Sequence, residues 1–266
     1  MAKKKPLRSK FTPEFATVAS IPSWANIILF AESGAGKTTA LSTVPLPALV
    51  VNIDGGIGVL PPQDDILIYP AHGGTVESWD EIEEMVEWAE NGGLEELGIK
   101  TICFDTWTEL AYVHLPAKVL SEPGVTGRVR EDVMSQSDYG TYGSIHNNLM
   151  RRIRDLPCHV VLTAQPHDEY EDDPAGGRVM WRMPDLGLGN ISGPTFPRHM
   201  DAVIYMELKK KKGEEFREYL LKPLNRRKGK LRTKHGTQAP DVLQDARLED
   251  IIDLIVHNKE EDEEDA

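Results

Sequence analysis

Apolar positions along this chain fall into two rhythms. Short, almost unbroken apolar runs rich in β-branched residues lie at 27–30, 48–53, 101–104 and 158–163, with a weaker one at 66–69. Runs of that length, apolar at nearly every residue, predict strands covered on both faces. Between them apolar residues recur at helical spacing. In 77–90, Trp79, Ile82, Val86 and Ala89 share one stripe with acids between them, which predicts an amphipathic helix with a solvated acidic face. The same spacing predicts helices over 108–120, 139–155 and 248–256, and a short one from Lys37 to about 43 that Pro45 and Pro47 stop. Two more strands, 202–208 and 216–222, read as a hairpin around 209–215. Segment 121–138 reads as a loop, and the glycine-containing 166–197 as a long irregular stretch, of the kind that is usually functional or disordered. Strands alternating with helices through short connections make the expected fold α/β: a mostly parallel central sheet with helices on both faces, then a C-terminal β-hairpin and helix.

A chain of 266 residues is most simply one such domain with appendages. The expected division is a basic arm at 1–22 interrupted by Pro6, Pro13 and Pro22, a domain at 23–257, and an acidic tail at 258–266. Phe11 and Phe15 of the arm either anchor on a neighbouring subunit or fold back on their own core. No stretch approaches the roughly 20 apolar residues of a membrane span, and the amino terminus leads into no signal core, so a cytoplasmic protein without a membrane partner is expected. Cys103 and Cys158 sit inside apolar runs and read as small core residues, not as a disulfide or metal site. The net charge of −13 argues against nucleic acid until its distribution is considered: 205–235 holds twelve Lys or Arg against four Glu, a local +8. The tail from Lys259 to Asp265, with six acids, is either a solubilising segment or a competitor for that basic surface.

Chemistry concentrates where strands end. Residues 31–39 read AESGAGKTT directly after the first apolar run. A polyphosphate must be met by several backbone N–H groups at once, and only a chain with little Cβ bulk turns tightly enough to aim them inward. Ser33, Gly34, Ala35, Gly36, Lys37, Thr38 and Thr39 are therefore the expected nucleotide-binding residues. Lys37 supplies a point charge to the β and γ phosphates, and Thr38 a hydroxyl to Mg²⁺. The usual first glycine is Ala31, tolerable if its φ stays negative. Asp105 ends the fourth strand and is expected to hold Mg²⁺ through water opposite Thr38; capping the following helix is its other possible job. Asp54, after the second strand, is either the carboxylate that positions attacking water or part of an Asp-Gly-Gly turn. Gln165, after the fifth strand, either senses the γ phosphate or caps locally. The basic run 222–230, with Arg227, fits a nucleic-acid backbone, the nucleotide of an adjacent subunit, or a solvated face.

The ordered set GAGKTT at 34–39, VVNIDGG at 50–56, FDTWTEL at 104–110, DYGTYGSIHNNLMRRIRDLP at 138–157 and VVLTAQ at 160–165 resembles the RecA-like branch of P-loop ATPases. Within it the chain is most similar to compact phage AAA-type ATPases that act as single-strand DNA recombinases or annealing proteins. The resemblance spans about 26–232. It implies a RecA-like ATPase domain using ATP and Mg²⁺, and a homo-oligomeric ring or filament with nucleotide near subunit interfaces. Single-stranded DNA is the implied partner, with a single-strand binding protein as a further one. It also implies DNA-facing loops at Arg128/Arg130 and at 174–193, and intersubunit cations at Arg226 to Lys228. Such proteins place a Glu two residues after an acid that follows the second strand; the matching pair here is Asn52 and Asp54. That departure leaves open a nucleotide-stabilised annealing or loader protein with little hydrolysis.

Overall fold

The structure, a computed structural model, describes residues 23–122, 132–172, 176–187, 196–222, 230–231 and 240–256. Its frame is a nine-stranded sheet built from β1 (Asn26–Phe30), β2 (Ala48–Asn52), β3 (Ile66–Tyr69), β4 (Thr101–Asp105), β5 (His159–Ala164), β8 (Ala202–Lys211), β9 (Glu214–Leu220), β10 (Lys230–Leu231) and β11 (Val242–Gln244). The strand order is β11-β9-β8-β1-β5-β4-β2-β3, with β10 paired to β8. From β8 to β3 every pairing is parallel; β9, β10 and β11 run antiparallel to their neighbours.

Successive residues of a strand face opposite sides, and both sides are covered. Ile28 and Phe30 pack with Trp79, Ile82, Leu110, Tyr142 and Ile153 on one face. Ile27 and Leu29 pack with Leu41, Leu248, Ile251 and Ile255 on the other. The expected helices are present as Trp79–Trp88, Asp138–Arg154 and Leu248–Val256, with Lys37–Ala40 continued by a 3₁₀ turn, Leu41–Thr43. Ser78 caps the first of these by accepting from Glu81 N–H at 3.2 Å. The helical segment after β4 runs Trp107–Glu109, Leu110–His114, Leu115–Ser121, and its middle is a π turn. That widened turn lies just before Pro116, which has no N–H to offer an α-helical ladder.

Two expectations are corrected. Segment 166–197 is not irregular throughout: β6 (Pro166–Asp172) and β7 (Arg178–Pro184) form a separate antiparallel hairpin. Its register sets Asp168 opposite Arg182 and Asp172 opposite Arg178, so cross-strand charge pairs offset the poor strand propensity of the acids. In the C-terminal hairpin the Lys-rich stretch is strand, not loop. Only Lys212 and Gly213 turn, at φ 54° and 93°, and the strands pair from Tyr205↔Leu220 to Lys211↔Glu214. Among the described residues no helix is long and apolar enough to cross a membrane. The arm and the acidic tail lie outside the described residues.

Candidate nucleotide-binding site

β1, β2, β4 and β5 all end on the same edge of the sheet, and the polar groups singled out by their positions converge there. The loop after β1 turns at Gly34 and Gly36, whose φ values of 79° and 93° only glycine adopts without strain. Ala31 is fully buried, and among the described residues non-glycine positive φ occurs only at His72, Lys212 and Asp245, so alanine fits here. Ala31 N–H donates to Ala164 O at 3.3 Å, tying the start of the loop to the end of β5. Ser33 is exposed, Ala35 buried and Thr39 half-buried.

Lys37 is folded back over the loop. Its Nζ donates to Ala31 O at 2.8 Å, Glu32 O at 3.2 Å and Gln165 Oε1 at 3.4 Å. Burial lowers the pKa of this amine, against the attraction of Asp105, Asp54 and Glu32. Thr38 Oγ1 donates to Asp105 Oδ2 at 2.7 Å, and Thr163 donates to the other oxygen of the same carboxylate. Asp105 is fully buried. Burial pushes its pKa up, while the two hydroxyls and Lys37 favour the ionised form. The Asp105–Thr106 peptide is cis. Asp105 does not cap the helix that follows: Thr106 does, accepting from Glu109 N–H at 3.4 Å.

Asp105 O accepts from Ile53 N–H at 2.7 Å and Asp54 N–H at 3.3 Å, which sets the turn after β2 beside the loop. Within that turn, Asn52 Oδ1 accepts from Gly55 N–H at 3.0 Å and Asp54 Oδ1 from Gly56 N–H at 2.9 Å. Asp54 thus makes the Asp-Gly-Gly turn and, being exposed, keeps its second oxygen for solvent or ligand. Asn52 is buried and also donates to Gly74 O at 2.6 Å, so an amide does structural work at this position.

Gln165 touches Lys37 with its side chain and the β6–β7 hairpin with its backbone. Gln165 N–H donates to Thr108 Oγ1 at 2.9 Å, Thr108 Oγ1 donates to Asp185 O at 2.7 Å, and Asp185 N–H donates to Gln165 O at 2.7 Å. Arg182 of β7 bridges Asp168 (2.9 Å) and Glu32 of the loop. A groove of about 310 Å³ lies between residues 32–35 of the loop and residues 205–208 of β8, with Arg182 at its side.

Ser33 to Thr39, Asp54, Asp105 and Gln165 are therefore brought together. Arg227, the rest of the run 226–228, Arg128, Arg130 and residues 174, 175 and 188–193 lie outside the described residues. Thr163 and Arg217, to which the sequence assigns no role, stand beside these residues, as does Arg182, which lies in the implied DNA-facing stretch 174–193 but on strand β7. Thr163 was legible only as a hydroxyl in an apolar strand. Arg182 faces Asp168 only through the register of the hairpin, and nothing in the sequence singles out Arg217.

A strand, a glycine-turned loop with Lys and Thr, and an acid two strands away in the same parallel sheet define a P-loop nucleotide-binding protein. A family model described as AAA domain matches residues 24–241, and the chain belongs to that family, AAA-type P-loop ATPases. A KaiC-like protein of the hyperthermophilic archaeon Pyrococcus horikoshii is similar at 12% identity over 76% of this chain and 79% of that one, with a TM-score of 0.35. No curated protein matches the chain.

Proposed function

We propose that the protein is an oligomeric, Mg²⁺-dependent ATPase that binds single-stranded DNA, acting in phage-type recombination or replication. The observation that carries the ATPase reading is the Thr38–Asp105 pair beside Lys37, at the mouth of a loop held open by two left-handed glycines. Hydroxyl and carboxylate oxygens are the hard donors Mg²⁺ prefers, so Thr38 and Asp105 fit that ion, which would neutralise phosphate charge. Lys37 exchanges its carbonyl contacts for phosphate oxygens. Asp54 orients the attacking water with its free oxygen. Gln165 registers the terminal phosphate and passes its loss to the hairpin through Thr108 and Asp185. The absence of an Asn-Lys-x-Asp guanine signature favours ATP over GTP. The basic run 222–230 is the proposed DNA contact, and Arg227 the cation offered to a neighbouring subunit's nucleotide.

A second reading, a nucleotide-stabilised annealing or loader protein, is favoured by one observation: Asp54 spends one carboxylate oxygen on its own turn. Phosphate release by the full chain, with and without single-stranded oligonucleotide and at two salt concentrations, separates the two. The ATPase reading expects turnover that rises with DNA, falls with salt and vanishes in Lys37→Ala. Tight ATP binding with negligible release selects the loader. Turnover indifferent to DNA overturns the recombinase assignment.

A further inference from the structure

Arg217 lies in β9, paired with Leu208 of β8, and its guanidinium reaches across to the phosphate-binding loop. A Cβ at Gly36 would stand 2.9 Å from Arg217 Nη2 and 3.2 Å from Nε, so the guanidinium rests directly on that glycine. Its backbone is pinned: Arg217 N–H donates to Asp245 Oδ1 at 2.8 Å, and Arg217 O accepts from Asp245 N–H at 2.8 Å. Its side chain leaves one donor unused. Nε is buried and has no hydrogen-bond partner among the described residues. A buried donor on a charged group, left without an acceptor, is costly, and a bound ligand is one partner that would satisfy it. The acceptor that suits a planar guanidinium beside a phosphate-binding loop is a phosphate oxygen, taken by the fork of parallel N–H groups.

Sheet order decides which phosphate. Along β9-β8-β1-β5-β4, the loop after β1 has Gln165 and Asp105 on one flank, after β5 and β4, and Arg217 on the other. Asp105 and Gln165 attend the metal and the terminal phosphate. Arg217 stands on the opposite flank, the same side as the groove between the loop and β8. We propose that Arg217 is a nucleotide-binding residue acting within its own subunit, gripping the phosphate chain at its nucleoside end and taking no part in the reacting end. This rests on the nucleotide-binding reading of the loop.

The test is calorimetric titration of ATP and of ADP, with Mg²⁺, into the full chain and its Arg217→Ala, Arg217→Met and Arg217→Lys variants, with Lys37→Ala alongside. Losing one charge-assisted contact predicts about 10–100-fold weaker binding, equal for ATP and ADP, in the Ala and Met variants. Arg217→Lys should recover part of it as a point charge. Where turnover is measurable, KM should rise and kcat hold. Arg217→Met keeps the apolar stem packed and carries the test should Arg217→Ala melt early. Native affinity in Arg217→Met, or a loss confined to ATP with a fall in kcat, overturns the inference. Wild type binding ATP while Lys37→Ala does not upholds the loop whatever Arg217 does; wild type binding neither nucleotide sinks both.

Discussion

Lowering the pH from about 7.5 to about 5 is expected to cost the folded state about 2 kcal/mol through one side chain, His146. His146 projects from the Asp138–Arg154 helix and is fully buried. It stacks on Trp107 with ring centroids 5.6 Å apart and meets the edges of Tyr142 (5.8 Å) and Trp79 (6.3 Å). Trp107 Nε1–H donates to His146 Nε2 at 2.9 Å, and because an indole only donates, Nε2 must be the unprotonated nitrogen. Burial accordingly pushes the pKa of His146 down from 6.5 to about 3. Folding thus favours the neutral ring, and this contribution is fully present above the unfolded-state pKa. It is lost progressively as pH falls from 6.5 toward 3, because the unfolded chain takes a proton that the native state refuses. The slope approaches ~1.4 kcal/mol per pH unit, which gives about 2 kcal/mol at pH 5. The assay is urea unfolding at both pH values, followed by tryptophan fluorescence, for wild type and His146→Gln, whose amide oxygen still accepts from Trp107. Subtracting the two removes the other titrating groups. Parallel pH dependences in the two proteins would refute the reasoning. The cluster also matters for the site, since Trp107 stands two residues beyond Asp105 and fixes that strand end against the helix.

Two further outcomes follow from the loop and its acid. Gly36→Ala forces a Cβ into a left-handed residue and against Arg217, so it should destabilise by about 1–2 kcal/mol, a Tm drop of roughly 2–8 °C, and abolish ATP binding; a variant with native Tm and affinity contradicts this. Thr163→Val removes one of the two hydroxyls that hold the Asp105 carboxylate. It should cost about 1–3 kcal/mol and raise the Mg²⁺ concentration needed for ATP to stabilise the protein, as thermal melts at graded Mg²⁺ would register.

How far the site was legible in the chain depends on how locally each part is encoded. Residues 31–39 carry their geometry within themselves: two glycines that turn left-handed, a buried alanine at the hinge, and Lys and Thr one and two steps beyond. Asp54, Asp105 and Gln165 were found because each follows an apolar run, and a parallel sheet brings such ends to one edge. Asp54 suits a turn or a water-positioning role, and the turn bond leaves one oxygen for the second. The β6–β7 hairpin was missed because its signal is the pairing of Asp168 with Arg182 and of Asp172 with Arg178, visible only once the register is known. Thr163 needed the adjacency of β4 and β5, where Phe104 faces Leu162 and the next pair is Asp105 and Thr163. Arg217 needed most: the hairpin was legible, but not its docking on β1 from the far side, which carries a cation back over the loop. Nucleotide chemistry was readable where backbone conformation dictates composition. Those side chains that complete it from other strands are dictated by topology instead, and a single chain of letters states topology only indirectly.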